Sequence, residues 1–363
     1  MVEELPMRGV ILHGGKGTRL RPLTQTGPKQ LIPIANKPMS QYALEDLKEA
    51  GITDIAIILG DIAPEKVIEY YGDGSKFGVK IEHIHQGEPR GIAHAVGLAR
   101  DFVGDEPFVV YLGDNLIKGG IKDSVEGFDR SDAEAHIALC RVKNPEAFGV
   151  AELNSSGEIV RLIEKPKVPP SDLALVGIYM FRSSIFDAIN RLKPSWRKEL
   201  EITDALQGLL DMGYTVSSHV VTGWWKDTGK PEDILEANHL VLSDLESFNR
   251  GKVEDGATIV GRVGVDEGTI IHKGCSIRGP VIIGKNCKIV SDAYIGPYTS
   301  IGDNCAIIGG ELENTIVMND VTLQCGKRIV DSLVGGNSKI FSADMNRPRG
   351  YRLIIGENTY ISI

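Results

Sequence analysis

Nine aliphatic residues, Ile259, Val265, Ile271, Ile277, Ile283, Ile289, Ile295, Ile301 and Ile307, follow one another at intervals of six without a slip. Two positions before each stands Ala257, Val263, Thr269, Cys275, Val281, Cys287, Ala293, Thr299 or Cys305, every one small or β-branched. An aliphatic knob plus a small residue in each hexad is the signature of a parallel β-helix, in which a hexad forms one face of a coil. Composition agrees, because residues 251–363 hold 28 Ile plus Val but only four Leu, and β-branched side chains favour strands. The phase is lost after Ile307 and returns in pieces at 317–323, 334–340 and 355–361, which predicts loops or imperfect coils there. The small inward position also accounts for Cys275, Cys287 and Cys305, which read as core filler rather than nucleophiles or ligands.

Residues 1–250 follow a different rule. The segments MRGVILHGG, TDIAIILGD and EPFVVYLGDN are short apolar runs that end in Gly or Asp, as buried strands of an open α/β sheet do. Between them, 41–50 and 64–71 have helical spacing, with Gly51 and Gly72 at the expected C-terminal caps. A further helical stretch over 232–245, spaced at Ile234, Ala237, Val241 and Leu245, is the natural connector. The predicted organisation is an α/β domain over 1–231, a helical connector over 232–250 and a β-helix over 251–363.

The chain carries 40 Lys plus Arg against 49 Asp plus Glu, a net charge of −9. That balance argues against a nucleic-acid or membrane-surface binder, which needs a basic face. No apolar run approaches the roughly 18 residues of a membrane span, and the start lacks the pattern of a signal peptide, so a cytoplasmic protein is expected. Five cysteines without a CxxC spacing indicate neither a disulfide framework nor a zinc site.

Against the acidic balance, the stretch from Leu5 to Leu44 holds Arg8, Lys16, Arg19, Arg21, Lys29 and Lys37 and no acid at all. Interleaved Gly and Pro residues make it a shaped loop and a local anion trap rather than a solvated face. Within it, GVILHGGKGTRLRPLT runs from a strand into a turn with Gly14, Gly15 and Gly17, then Arg19. Glycines let backbone amides approach a polyphosphate, and Arg19 supplies a planar charged fork. The turn is not a P-loop, since Lys16 is followed by Gly17, and it is not GxGxxG. Asp114 in LGDN and Asp227 in WWKDTG are distant carboxylates that can share one Mg²⁺, or each can simply form a turn. Lys165 in LIEKPK is a candidate phosphate clamp with Glu164 beside it able to accept sugar hydroxyls; taken alone, such a pair is most often a surface ion pair.

The segment GGKGTRLRPLTQTGPKQLIPIANKPM resembles the signature of sugar-nucleotide pyrophosphorylases, nucleotidyltransferases that join a nucleoside triphosphate to a sugar 1-phosphate. QGEPRGIAHA, LGDN, VKNPEAFGVAEL, LIEKPK, SDLALVGIYMF, ELEITDAL and WWKDTG match in order, so the resemblance spans residue 8 to about 240. PKQL, ELEITD and WxDTG are similar to the glucose-1-phosphate thymidylyltransferase branch, and the hexad tail resembles the β-helix of its long form. The resemblance implies a Rossmann-like open-sheet nucleotidyltransferase domain followed by a left-handed parallel β-helix. It implies that Gly14, Gly15, Arg19, Lys29 and Gln30 surround the triphosphate, that Gln86 and Gly91 meet the pyrimidine edge, and that Asp114 and Asp227 bind Mg²⁺. Asn115, Gly149, Glu164, Lys165, Leu175 and Tyr179 would line the sugar phosphate. His13 stands where Ala or Ser is expected before GG, as a nucleotide contact or as packing.

The implied reaction is in-line attack by glucose 1-phosphate on the α-phosphorus of dTTP, with pyrophosphate leaving; Arg19, Lys29 and Lys165 stabilise and align the charges. UTP-dependent transfer is a near alternative, because thymine and uracil differ by one methyl; a GTP-dependent sugar-1-phosphate nucleotidyltransferase is the other. A second activity, acyl transfer on the β-helix, would need a histidine base, and after residue 240 only His272 is available. A non-catalytic relative would be expected to lack at least one of Arg19, Lys29, Asp114, Lys165 or Asp227, and none is missing. The β-helix itself points to a homo-oligomer, since long flat coil faces pack readily.

Overall fold

A computed structural model describes residues 7–342; the periodic fragment at 355–361 lies outside the described residues. Two compact units emerge. The first contains residues up to Gly17, Thr26–Leu31 and Met39–Asp227; the second contains Thr18–Gln25, Ile32–Pro38 and everything from Thr228. The division therefore differs from the linear boundary at 231, because two short segments of the acid-free loop belong to the C-terminal unit.

The first unit is a mixed sheet. Strands Phe108–Leu112, Arg8–His13, Asp54–Leu59 and Lys80–His85 are parallel neighbours in that order. Strand Leu173–Phe181 joins antiparallel to Phe108–Leu112 and leads outward to Ala135–Arg141, Gly149–Leu153 and Ile159–Glu164. The three inner parallel strands are apolar along most of their length because both faces are covered, whereas the edge strand Lys80–His85 alternates and exposes Lys80 and Glu82. Val10 and Leu12, Ala56 and Ile58, and Phe108 and Val110 enter one core with helices Ile92–Leu98, Ser184–Arg191 and Ile202–Asp211. Ile11, Ile55, Ile57, Leu59, Val109 and Tyr111 enter the opposite core with helices Met39–Glu49, Pro64–Tyr71 and Lys122–Asp129. Successive side chains on a strand point to opposite faces, so one run supplies both cores. Gly51, at φ +86°, follows the first of these helices, and the Gly72 amide closes the second by bonding the Ile68 carbonyl at 2.8 Å.

The second unit contains a parallel β-helix. Short strands stack into three parallel sheets in which residues 263, 281 and 299, and 270, 288 and 306, stand in register. Each coil there is made of three full hexads, one per sheet. Ile271, Ile277, Ile283, Ile289, Ile295, Ile301 and Ile307 are buried together with Cys275, Cys287 and Cys305. Ile259, on the first coil of its sheet, is instead 37% exposed.

After Ile307 the coils persist but shorten. Ser300 pairs with Ile316 and Leu312 with Ile329, so each turn now falls just short of three hexads. The hexad phase is lost without an interrupting loop. Corners stack Gly268, Asn286, Asn304 and Asp320, all at φ between +55° and +72°. Asn304 Nδ2 donates to Asp320 Oδ1 at 3.1 Å, closing part of this column.

The connecting helix runs Pro231–Ser243, so Leu245 falls beyond it. It buries Ile234, Ala237, Asn238 and Leu242, with Leu242 taking the place expected for Val241. Among the described residues no helix is long and apolar enough to cross a membrane.

Candidate active site

At the C-terminal ends of the parallel strands lies a cavity of about 450 Å³ lined by Gly14, Gly15, Gln86, Gly91 and Asp114, with Leu12 and Glu199 on its wall. Sheet geometry explains its place: parallel strands end together, and the loops that follow them surround one crevice. Gly15 and Gly17 take φ of +97° and +55°, open to glycine and strained for other residues. Gln30, buried beneath this turn, donates from Nε2 to the Gly14 carbonyl at 2.8 Å and fixes its height.

Lys29 forms an ion pair and hydrogen bond with Asp114. Burial alone would raise the Asp114 carboxyl, but the Lys29 ammonium and the Asn115 amide outweigh it and hold the group below its ordinary range. Asn115 Nδ2 donates to Asp114 Oδ1 at 3.0 Å. Asp227 stands directly across from Asn115 in a two-stranded antiparallel ribbon, Asn115–Ile117 with Trp225–Asp227. Trp225 Nε1 locks the ribbon by donating to Asn115 Oδ1 at 2.7 Å. Two carboxylates far apart in the chain are thereby one position out of register.

This donor set fits a small hard cation. Two carboxylates offer oxygen only, Asp114 is held ionised, and among the described residues no cluster of three or more His, Cys, Asp or Glu could bind a metal by itself. The remaining ligands of such an ion would be phosphate oxygens and water, the arrangement Mg²⁺ prefers.

A second group of residues sits at the sheet edge. Gly149 pairs across strands with Glu164, whose carboxyl burial pushes upward while Thr203, donating to Oε2 at 2.7 Å, pulls the other way. A Cβ on Gly149 would come within 2.6 Å of Thr203 Oγ1, so this position is closed to larger residues. Lys165 follows at φ +44°, with its Nζ 3.7 Å from Glu164. Leu175 and Tyr179 are buried in the core below, and burial raises the Tyr179 hydroxyl, with the charges of Glu164 and Asp114 adding to it.

Arg197 joins this edge although the motif reading assigned it no role. Its guanidinium pairs with Glu164 at 3.4 Å, Glu199 at 3.1 Å and Glu201 at 3.5 Å. The only signal in the sequence was a cation followed by two acids in R-K-E-L-E, and the segment does not run extended there but turns at Lys198, φ +63°. The same segment reaches the cavity: the Leu200 amide donates to the Arg90 carbonyl at 2.7 Å, and the Ala93 amide donates to the Leu200 carbonyl at 3.0 Å. Gly91, at φ +107°, is obligatory there, since a Cβ would fall 2.4 Å from the Leu200 oxygen. Gly177, at φ +79°, is a second position the sequence reading missed; its absent side chain admits Leu112 and Asn115.

Two candidates lie elsewhere. Arg19 belongs to the second unit, on the short 3-10 turn Thr18–Leu20, where its guanidinium packs against Gly229. His13 is buried beside Tyr71, edge to face at 5.9 Å between centroids, and neither ring nitrogen has a hydrogen-bond partner among the described residues. It does not line the cavity, which favours the packing role. On the β-helix, His272 Nδ1 stands 3.2 Å from Glu254.

The crevice thus gathers a glycine turn on a strand end, a buried amide facing that turn and the Asp114 carboxylate, with Asp227 on the adjoining ribbon. The chain belongs to the nucleotidyl transferase family, whose profile matches residues 8–244. Residues 277–361 match the profile described as the GMPPB C-terminal domain.

Over 357 residues the chain is 54% identical to the low-salt glycan biosynthesis nucleotidyltransferase of Haloferax volcanii, covering 98% of this chain and 100% of that protein. It is 47% identical over 358 residues to a glucose-1-phosphate thymidylyltransferase of Streptomyces antibioticus, covering 98% and 99%. Among solved structures it is similar to a UDP-glucose pyrophosphorylase complexed with UDP-glucose, at a TM-score of 0.59 and 27% identity, over 65% of this chain and 98% of that one.

Proposed function

We propose that the protein is a glucose-1-phosphate thymidylyltransferase, transferring the thymidylyl group of dTTP to glucose 1-phosphate and releasing pyrophosphate. The observation that supports the reading is the ribbon that pairs Asp227 with Asn115, the chain neighbour of Asp114, which lines the glycine-rich cavity. The thymidylyltransferase relative that matches nearly the whole chain supports the choice of nucleotide and sugar.

The chemistry needs no protein nucleophile. A phosphate oxygen of glucose 1-phosphate attacks the α-phosphorus of dTTP, a P–O bond forms, and the bond to the β-phosphate breaks with its electron pair leaving on pyrophosphate. The task of the protein is alignment and charge neutralisation. Gln86 and Gly91 would hold the base, the Gly14–Gly15 amides the polyphosphate, and Lys29 the charge that builds on departure. Glu164 would accept sugar hydroxyls, with Lys165 beside it on the sugar phosphate. Asp114 and Asp227 would hold Mg²⁺, which when bound neutralises the reacting phosphates.

The test is a matrix of dTTP, UTP, dCTP and GTP against several sugar 1-phosphates, read by pyrophosphate release. We expect the highest kcat/KM for dTTP with glucose 1-phosphate and substantial turnover with UTP. A GTP-mannose optimum, or no release from any pyrimidine triphosphate, overturns the reading.

A further inference from the structure

Gln86 is the buried amide of the cavity, and its two ends face different partners. Nε2 lies 3.5 Å from the Gly91 carbonyl and 3.5 Å from Nδ1 of His94. Oε1 faces the glycine turn, where a Cβ on Gly14 would stand 3.0 Å from it. A carbonyl only accepts, so Gly91 favours this orientation of the amide.

His94 works against it. Arg90 Nη2 is 2.8 Å from His94 Nε2, and a guanidinium only donates, so Nε2 accepts and a neutral ring carries its proton on Nδ1. Burial, reinforced by the Arg90 charge, lowers the His94 pKa and keeps the ring neutral. Nδ1–H then points a donor at the amide NH₂, and an amide so placed gains by turning over.

We infer that His94, capped by Arg90, is a specificity-determining positioning residue: it offsets the Gly91 restraint on Gln86, so the amide can present either its oxygen or its nitrogen to the base. The inference rests on the proposal that Gln86 faces the base. Thymine and uracil offer an N3–H donor, whereas cytosine offers N3 as an acceptor beside its amine. An amide oxygen accepts from the imide N3–H; the turned amide donates to cytosine N3. A locked amide would select one class, and a balanced one admits pyrimidine triphosphates of both patterns.

The two residues can be removed separately. In Arg90→Leu, an exposed position, Nε2 is free to carry the proton, and Nδ1 then accepts from Gln86 alongside Gly91. In His94→Leu the opposing donor is gone. Full-length wild type and both variants are assayed with dTTP, UTP and dCTP against glucose 1-phosphate.

We expect wild type to use dCTP with kcat/KM within about 100-fold of dTTP. In both variants the dTTP:dCTP ratio should rise roughly 5- to 10-fold, the worth of one hydrogen bond, through KM for dCTP. kcat with dTTP should stay within about twofold of wild type, since neither residue touches the reacting phosphates. A ratio unmoved in Arg90→Leu, in an enzyme that turns over dTTP, overturns the role of His94 and leaves the proposed function standing. Wild type inactive with every pyrimidine triphosphate overturns both. Should His94→Leu not fold, Arg90→Leu alone decides.

Discussion

At the residue scale, charges and buried rings make distinct commitments. Replacing Asp227 by Asn keeps shape and the ribbon register while removing one of two hard oxygen anions. Pyrophosphate release at saturating Mg²⁺ should fall by about 10³-fold or more, with an unchanged circular dichroism spectrum; near-native turnover would sink the metal assignment. His13 makes a pH commitment. Its ring is buried and its pKa is lowered to about 3, burial being the chief cause. The unfolded chain, with an ordinary histidine near 6.5, binds the proton first, so stability is fully present above pH ~6.5 and drains as pH falls toward the folded value. His13→Phe should remove about 1.4 kcal/mol per pH unit of this acid sensitivity between roughly pH 6 and 4, measured as wild-type minus variant urea stability; parallel profiles would contradict it. The candidate site was legible where residue type carries the chemistry, as Gly, Lys and Asp do in LGDN and WWKDTG. Arg197 was not, since its role comes from meeting Glu164, the last residue of the distant strand Ile159–Glu164. Nor was the burial of His13, because a histidine at the end of a strand reads the same whether it faces a cavity or a core.

At the element scale, legibility follows periodicity. Strands buried on both faces announce themselves as apolar runs, and the hexads announced the coil as long as each turn held three of them in full. The shortened coils beyond Ile307 hide from a hexad comb although their strands stack just as well. Asn238 on the connecting helix was equally hidden: it occupies the apolar stripe but is satisfied by the Ala35 amide at 2.8 Å, the Ser300 hydroxyl at 2.6 Å and the Tyr298 carbonyl at 3.0 Å. Glycine positions set by a neighbour's backbone are legible only in three dimensions. Gly91→Ala should displace the 195–201 segment, because its Cβ would stand 2.4 Å from the Leu200 oxygen at a φ of +107°. We expect a loss of about 2–4 kcal/mol in unfolding free energy and weakened use of both substrates. A variant with wild-type melting temperature and KM values would show that the segment adapts freely.

At the scale of the whole molecule, the linear order of domains is not the order of compact units. Segments Thr18–Gln25 and Ile32–Pro38 complete the C-terminal unit, where Asn36 Nδ2 donates to the Ile301 carbonyl at 2.7 Å. A fragment beginning at Thr228 therefore leaves Asn238 and the Ile301 carbonyl without these partners. Its urea midpoint should lie well below that of the second unit in the intact chain, and limited proteolysis should attack the 231–243 helix first. A fragment as resistant as the full protein would show the two segments to be dispensable. The same arrangement sets a schedule for synthesis. Ala35 and Asn238 are 203 residues apart, so at ribosomal speeds of about 5–20 residues per second the Ile32–Pro38 segment waits some 10–40 s for the side chain that will hold it. During that interval the growing chain can build its parallel sheet but cannot complete the seat of Arg19, and a segment made early waits for one made late.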